Sequence, residues 1–141
     1  MHGAATTLSV LTGLYQPSRG DCYIFGHSIS SARRAVYRML GICPQHDVWW
    51  HTLTVREHLH VYATLKGVAR SDRSHAGTAM MADVGLPEKA HTRSHALSGG
   101  MKRKLSVGCA LIGGSRCVLL DEPSSGMDPA SRRSMWTLLR H

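Results

Sequence analysis

The feature that most limits how this chain can fold is the run Cys117-Val118-Leu119-Leu120-Asp121-Glu122-Pro123, apolar residues that end abruptly in two carboxylates. From Arg116 to Asp121 it has the pattern of a fully buried parallel strand whose carboxyl end carries function, because strands covered on both faces are apolar without alternation. Beyond it, Asp128-Pro129 offers a helix cap followed by proline at the first helical position. Strand, acidic turn and helix in this order belong to an α/β sheet domain.

The remaining segments fit that frame. Apolar residues at 8, 10, 11 and 14 give a helix over Thr6 to Leu14, with Gly13 as its stop signal. Cys22-Tyr23-Ile24-Phe25, closed by Gly26, reads as a strand, and Leu40-Gly41-Ile42-Cys43 before Pro44 as a second, shorter one. Thr54-Val55-Arg56-Glu57 is a capping box, opening a helix that runs to about Lys66 and buries the side carrying Val55, Leu59, Tyr62 and Leu65. Residues 70–96 read as helical and polar, interrupted at Gly85-Leu86-Pro87. Ser98 caps a helix from about Gly100 to Ile112, ended by Gly113-Gly114. The expected division is a helical subdomain at 46–97, inserted into a partial α/β core formed by 1–45 and 98–141.

Composition narrows the function classes. With 141 residues and 43% apolar content the chain suits one domain with a buried core. Its apolar runs fall far short of the roughly 20 residues of a membrane helix. The first residues lack the basic and apolar regions of a secretory signal, so a cytosolic location is expected. Four cysteines at 22, 43, 109 and 117 form no C-x-x-C pair and read as free buried thiols. The formal charge of +8 fits an anionic ligand, an acidic membrane surface or nucleic acid. Its basic groups, Arg33-Arg34, Lys102-Arg103-Lys104 and Arg132-Arg133, lack interleaved aromatics, so no nucleic-acid partner is expected.

Two motifs carry chemistry. Carboxylates at the end of a sheet strand face the crevice where α/β folds bind ligands. Asp121 there can hold Mg²⁺ through water, and Glu122 can polarise an attacking water for phosphoryl transfer. Leu97-Ser98-Gly99-Gly100-Met101 places a hydroxyl and two side-chain-free amides at a helix start, where N–H groups and the dipole favour phosphate. Either motif alone also has an ordinary structural explanation. Their spacing, followed by Ser125-Gly126-Met127-Asp128, makes accident a poor account.

At these positions the sequence resembles the ABC ATPase family over almost its whole length. Leu97 to Lys104 looks like the signature motif, Cys117 to Pro123 the Walker B strand, and Ser125 to Asp128 the D-loop with Ser125, Gly126 and Asp128. Cys43-Pro44-Gln45-His46-Asp47 looks like the Q-loop, whose glutamine in that family reaches Mg²⁺ and the attacking water. The resemblance is closer to the A subfamily of lipid exporters, through similar stretches at 11–15, 43–47, 53–59 and 97–106. It implies a partial P-loop NTPase (RecA-like) core with a parallel sheet and an inserted α-helical subdomain. It also implies ATP and Mg²⁺ as cofactors, with Glu122 and Gln45 catalytic and Asp121 and Gln45 at the metal. Ser98, Gly99, Gly100, Met101, Gly3, Thr6 and Thr7 would bind ATP. The implied partners are a second nucleotide-binding domain and transporter membrane domains, at the cytosolic face of a membrane.

One element departs from the pattern. A P-loop needs a lysine on the β and γ phosphates and a Ser or Thr hydroxyl on Mg²⁺. Aligned on the family's Gly-Lys-Thr-Thr-Thr-Leu, Gly3 is retained, but Ala4 takes the lysine position and Ala5 the metal-ligand position. The chain's own P-loop site is therefore expected to be weak or dead, though its signature could still cover a nucleotide bound by an intact partner. The adenine-stacking aromatic and the switch histidine would lie outside 1–141, and unpaired sheet edges predict marginal stability. Two other readings stay open: a non-catalytic piece that pairs with or regulates an intact domain, and a soluble ABC protein acting on DNA or ribosomes. The ten histidines, including the pairs 58/60 and 91/95, are expected at the surface. Trp49-Trp50 reads as an interface anchor or as packing on the helical insert, and Lys102-Arg103-Lys104 as a solvated face or a nucleotide contact.

Overall fold

The computed structural model describes residues 3–45 and 49–139. Its central feature is the pairing of the two apolar segments that precede Pro44 and Asp121. Strands β3 (Leu40–Cys43) and β4 (Cys117–Leu120) run parallel, with Leu40 opposite Cys117 and Cys43 opposite Leu120. Parallel neighbours need a long crossover. Here it holds three helices, α3 (Val55–Leu65), α4 (Arg73–Asp83) and α5 (Gly99–Leu111), with short 3-10 turns at Pro87–Lys89 and Ser94–Ala96.

Before the parallel pair come α1 (Gly3–Leu11), an antiparallel hairpin of β1 (Tyr23–Ile24) and β2 (His27–Ser28), and α2 (Arg33–Met39); α6 (Pro129–Leu138) follows it. The hairpin turns on Phe25 and Gly26, both at positive φ, the requirement of a tight two-residue hairpin loop. Phe25 is unusual at such a position. Its ring lies under the Arg116 guanidinium, 4.1 Å from the centroid, which ties the hairpin to the start of β4. Nothing in the local pattern announces α2, which has no side-chain cap and buries Val36 alone.

Helix α5 holds the chain together. Its Leu105 and Cys109 join Val55, Leu59, Met81, Val84 and Leu86 in one core with α3 and α4. Its Val107 and Ala110 join Cys43, Met127 and Met135 in a second core with β3 and α6. The helix rests directly on β3, since a Cβ built on Gly41 would overlap the Ala110 carbonyl oxygen. At the far end of the crossover, Lys66 Nζ donates to the Leu40 carbonyl and to Ser115 Oγ, fastening the end of α3 to the sheet.

The caps form as the sequence requires. Thr54 and Glu57 make the reciprocal capping box, Ser98 accepts from the Met101 amide, and Asp128 accepts from the Ser131 amide. Several expectations fail for physical reasons. Strand β4 is half-buried along its length, because β3 is its one neighbour among the described residues. Between α1 and the sheet a cleft of about 400 Å³ remains, lined by Leu8, Thr12, Ile42, Leu119 and Asp121. Leu65 is exposed. It lies at the margin of the α3 stripe on the last turn, beside an open groove. His58, expected at the surface, is fully buried, because its place next to Leu59 puts it on the packed face of α3. His60, His91 and His95 are exposed. None of the four cysteines is in a disulfide, but Cys22 and Cys117 are only half-buried; burial pushes the Cys109 thiol well up.

Candidate functional site

The sheet brings the acidic turn and the loop after β3 together because the parallel register ends both strands at the same level. Past Cys43 and Leu120, the Asp121 amide still donates to the Cys43 carbonyl at 2.9 Å. Gln45 Nε2 then donates to Glu122 Oε2 at 3.1 Å, across 77 residues of sequence. Glu122 adopts φ 46°. A non-glycine residue held there costs about 1–3 kcal/mol, strain that clusters at working sites. Both side chains are exposed, while Asp121 is half-buried and borders the cleft beneath α1. Residues 46–48, which include His46 and Asp47, lie outside the described residues.

The backbone of this corner is gripped by a side chain for which the sequence suggested a solvated face or a nucleotide contact. Arg103 is 4% exposed. Its Nε donates to the Pro123 carbonyl at 2.9 Å. Nη1 donates to the carbonyls of Pro44 at 2.6 Å and Gln45 at 3.3 Å. Nη2 donates to the carbonyls of Asp121 and, at 2.7 Å, Glu122. A guanidinium has five N–H donors in a fixed fork, and here each meets a carbonyl. The signal was available: Arg103, Val107 and Ala110 stand at i, i+4 and i+7, one face of a helix.

Ser98, Gly99 and Gly100 open α5. Ser98 Oγ accepts the Met101 amide at 3.3 Å, and the Met101 side chain packs on the helical core. A Cβ added at Gly99 or Gly100 would meet nothing within 4 Å. Among the described residues no neighbour therefore calls for glycine at either position, at the positive end of the helix dipole. In the following turn the Ser125 amide donates to the Glu122 carbonyl at 3.0 Å, and Gly126 takes φ 71°. Asp128 is committed to capping α6; the Ser131 hydrogen bonds hold its carboxyl below the usual range.

Helix α1 begins at Gly3, and Thr6 and Thr7 on its first turns are exposed. The structure thus gathers Gln45, Asp121 and Glu122 at one corner, and sets Ser98, Gly99 and Gly100 on the helix that supplies Arg103. Among the described residues no cluster of three His, Cys, Asp or Glu could hold a metal alone. No helix among them is long and apolar enough to cross a membrane.

Behind this corner the chain is more apolar. Trp49 and Trp50 pack on His58 with ring centroids 5.4 and 5.8 Å away. The Trp50 amide donates to His58 Nε2 at 3.3 Å, and Nδ1 lies 2.9 Å from the Thr54 carbonyl. Those partners fix the neutral ring with its proton on Nδ1. Trp49, Tyr62, Tyr37, Ile42 and Pro44 line an adjacent groove of about 460 Å³.

Comparison with known proteins agrees with this geometry. The chain is 51% identical over 138 residues to the phospholipid-transporting ATPase ABCA3 of Homo sapiens, a match covering 98% of this chain and 8% of that protein. It is 49% identical over 137 residues to ATP-binding cassette sub-family A member 7 of Mus musculus, covering 97% of this chain and 6% of the relative. The chain therefore spans under a tenth of the length of these curated relatives. A solved ATP-binding subunit of an ABC transporter superposes with a TM-score of 0.86 at 25% identity, covering 97% of this chain and 57% of its own. Residues 2–125 match the ABC transporter family, and with a parallel β3–β4 pair, a signature-like helix start and A-subfamily relatives, the chain belongs to that family.

Proposed function

We propose that this chain serves as a nucleotide-binding domain of an A-subfamily lipid transporter and uses one face of it fully: the signature face, Ser98 to Met101. The observation that carries the reading is the open glycine pair at the start of α5, which no contact among the described residues explains. It suits the phosphates of an ATP held by a second nucleotide-binding domain, on the positive end of the helix dipole. In this reading 46–97 is the helical subdomain, 1–45 and 98–141 belong to the ATP-binding core, and the domain works at the cytosolic face of a membrane beside the transporter's membrane segments.

MgATP supplies a transferable phosphoryl group and a divalent charge. Of this chain's residues, Asp121 is suited to hold Mg²⁺ through water, Glu122 to orient and deprotonate a water, and Gln45 to fix both. Ser125 and Gly126 face the partner from the D-loop. The chain's own P-loop does not fit the nucleotide equally well. Gly3, Thr6 and Thr7 remain, but Ala4 and Ala5 stand at the lysine and metal-hydroxyl positions, so no hydrolytic step is assigned to that face. Losing the charge-assisted contact alone forfeits about 1.5–3 kcal/mol, roughly 10- to 150-fold in affinity.

The test is an equilibrium titration of the chain with MgATP, alone and with an intact A-subfamily nucleotide-binding domain. Weak or no binding alone, and ATP-dependent association with the partner that Gly100→Asp abolishes, is the expected pattern. Tight binding and hydrolysis by the chain alone, lost in Glu122→Gln, would show a working P-loop face instead. No association under any nucleotide condition would remove the signature-face role.

A further inference from the structure

We infer that Arg103 is a positioning residue for the Gln45–Glu122 corner, holding the loop of Gln45 and the turn of Glu122 at the separation where they meet. The suitability of that corner for Mg²⁺ and water rests on the function proposed above. The geometry of the strap does not depend on it.

Gln45 and Glu122 sit on segments that the sheet brings side by side and that Arg103 bridges through their backbone carbonyls. The ladder's last bond is from the Asp121 amide to the Cys43 carbonyl, and beyond it neither segment has regular structure. Glu122 is also held at φ 46°, a conformation that persists only where the surroundings over-determine it. Arg103 supplies that determination. Nη1 grips Pro44 and Gln45 on one side while Nη2 grips Asp121 and Glu122 on the other, with Nε fixing Pro123. One rigid plane thereby sets the spacing of two backbones whose side chains meet at 3.1 Å. A lysine could not do this, since an ammonium has three donors diverging from a point rather than five in a planar fork.

The strap also has a direction. Arg103 lies five residues after Ser98 on α5, about 7.5 Å along the axis at 1.5 Å per residue. The helix that presents Ser98, Gly99 and Gly100 thus fixes the carboxylate corner from behind. A displacement of α5 would reach Gln45 and Glu122 through the guanidinium.

The chain provides its own probe: it contains two glutamines, Gln16 and Gln45, and no asparagine. A ¹⁵N spectrum of the full chain therefore shows two side-chain amide pairs, with exposed Gln16 as the internal reference. In the parent protein the Gln45 pair should be displaced from the Gln16 pair, and Glu122→Ala should collapse that difference. Arg103→Met should collapse it equally, although neither contacting side chain is altered. Arg103→Lys should recover much of any lost denaturation midpoint without recovering the Gln45 shift, separating positioning from simple support.

The inference is overturned if either Arg103 variant moves the midpoint while the Gln45 pair stays at its parental position. It is also overturned if the parental pair already coincides with Gln16 and ignores Glu122→Ala. Loss of native spectral dispersion in both Arg103 variants would assign the residue to folding alone and end the proposal. No nucleotide is present in this experiment, so a failed ATP titration would sink the functional reading and leave this result standing.

Discussion

Two helix starts in this molecule resemble phosphate sites, and they have kept different halves of what such a site needs. At α5, the cap on Ser98, the open glycines and the seating of the helix are all present. At α1, the helix forms from Gly3 and the two threonines follow, but Ala4 and Ala5 stand where charge and hydroxyl belong. A helix N-terminus contributes partial charges and orphan amides whatever its side chains. Tight binding of a triphosphate requires added charge. Backbone geometry therefore survives substitutions that remove charge, and resemblance over nearly the whole chain coexists with a changed side-chain set at one end.

The most direct way to break the contrast is to restore the α1 side chains. Ala4→Lys with Ala5→Thr should tighten MgATP binding by calorimetric titration about 10- to 150-fold, the equivalent of one charge-assisted contact of about 1.5–3 kcal/mol. No gain would mean that the backbone at this end also departs from a working P-loop, and that the two helix starts differ in more than charge.

The next largest effect tests why α5 is so well placed. Gly41 lets the Ala110 carbonyl lie directly against β3, so Gly41→Ala must push the helix off the strand. Overpacking of this kind costs about 1–3 kcal/mol, to be read as a lowered urea midpoint. The same displacement would move Arg103 away from the carbonyls it holds. A variant as stable as the parent would show that α5 is located by its other core, through Leu105 and Cys109, and not by the sheet.

What was legible in the sequence divides along similar lines. Caps and strands were readable because local chemistry determines them: Thr54 with Glu57, Ser98 at α5, Asp128 with Pro129, and the apolar runs of β3 and β4. Burial was not always readable, since it depends on what packs opposite. His58 and Arg103 are polar residues on packed helix faces, and their burial became possible only because distant backbone groups satisfy them: Thr54 and Trp50 for one, five loop carbonyls for the other. Leu65 failed in the opposite sense, at a helix end where no neighbour covers it. The departure of Ala4 and Ala5 from the family's P-loop pattern was legible because it is a matter of residue type alone.

His58 gives a smaller and pH-dependent effect beside the Gln45 loop. Burial pushes its imidazole below the ordinary value, against the Thr54 carbonyl and the Glu57 carboxylate, which pull it up. The faces toward Trp49 and Trp50 bring no charge. A folded value below the unfolded one means that the unfolded chain takes up the proton first. Stability is then complete above the unfolded value of about 6.5 and falls as pH drops through it, no more steeply than about 1.4 kcal/mol per pH unit. It levels off below the folded value. Denaturation midpoints between pH 7.5 and 5.5 should show this slope, and His58→Gln should flatten it. Glu57 and Asp128, whose carboxyls are held low by hydrogen bonds, act in a separate, more acidic window. A slope unchanged in His58→Gln would assign the acid sensitivity to other groups.

The smallest stability effect is expected where the functional stake is largest. Gly99 stands at the first position of α5, and its added Cβ meets nothing within 4 Å among the described residues. Replacing glycine by alanine in a helix removes unfolded-state entropy, so Gly99→Ala should leave stability unchanged or raise it by about 0.4–1 kcal/mol. The same methyl would stand between the open amides and any phosphate brought to them from a partner domain. ATP-dependent association should therefore weaken while the urea midpoint holds or rises. Such a split separates a glycine kept for an external ligand from one, like Gly41, kept for packing. If both quantities fell together, the open space at the start of α5 would belong to the fold, and the contrast with α1 would lose its functional meaning.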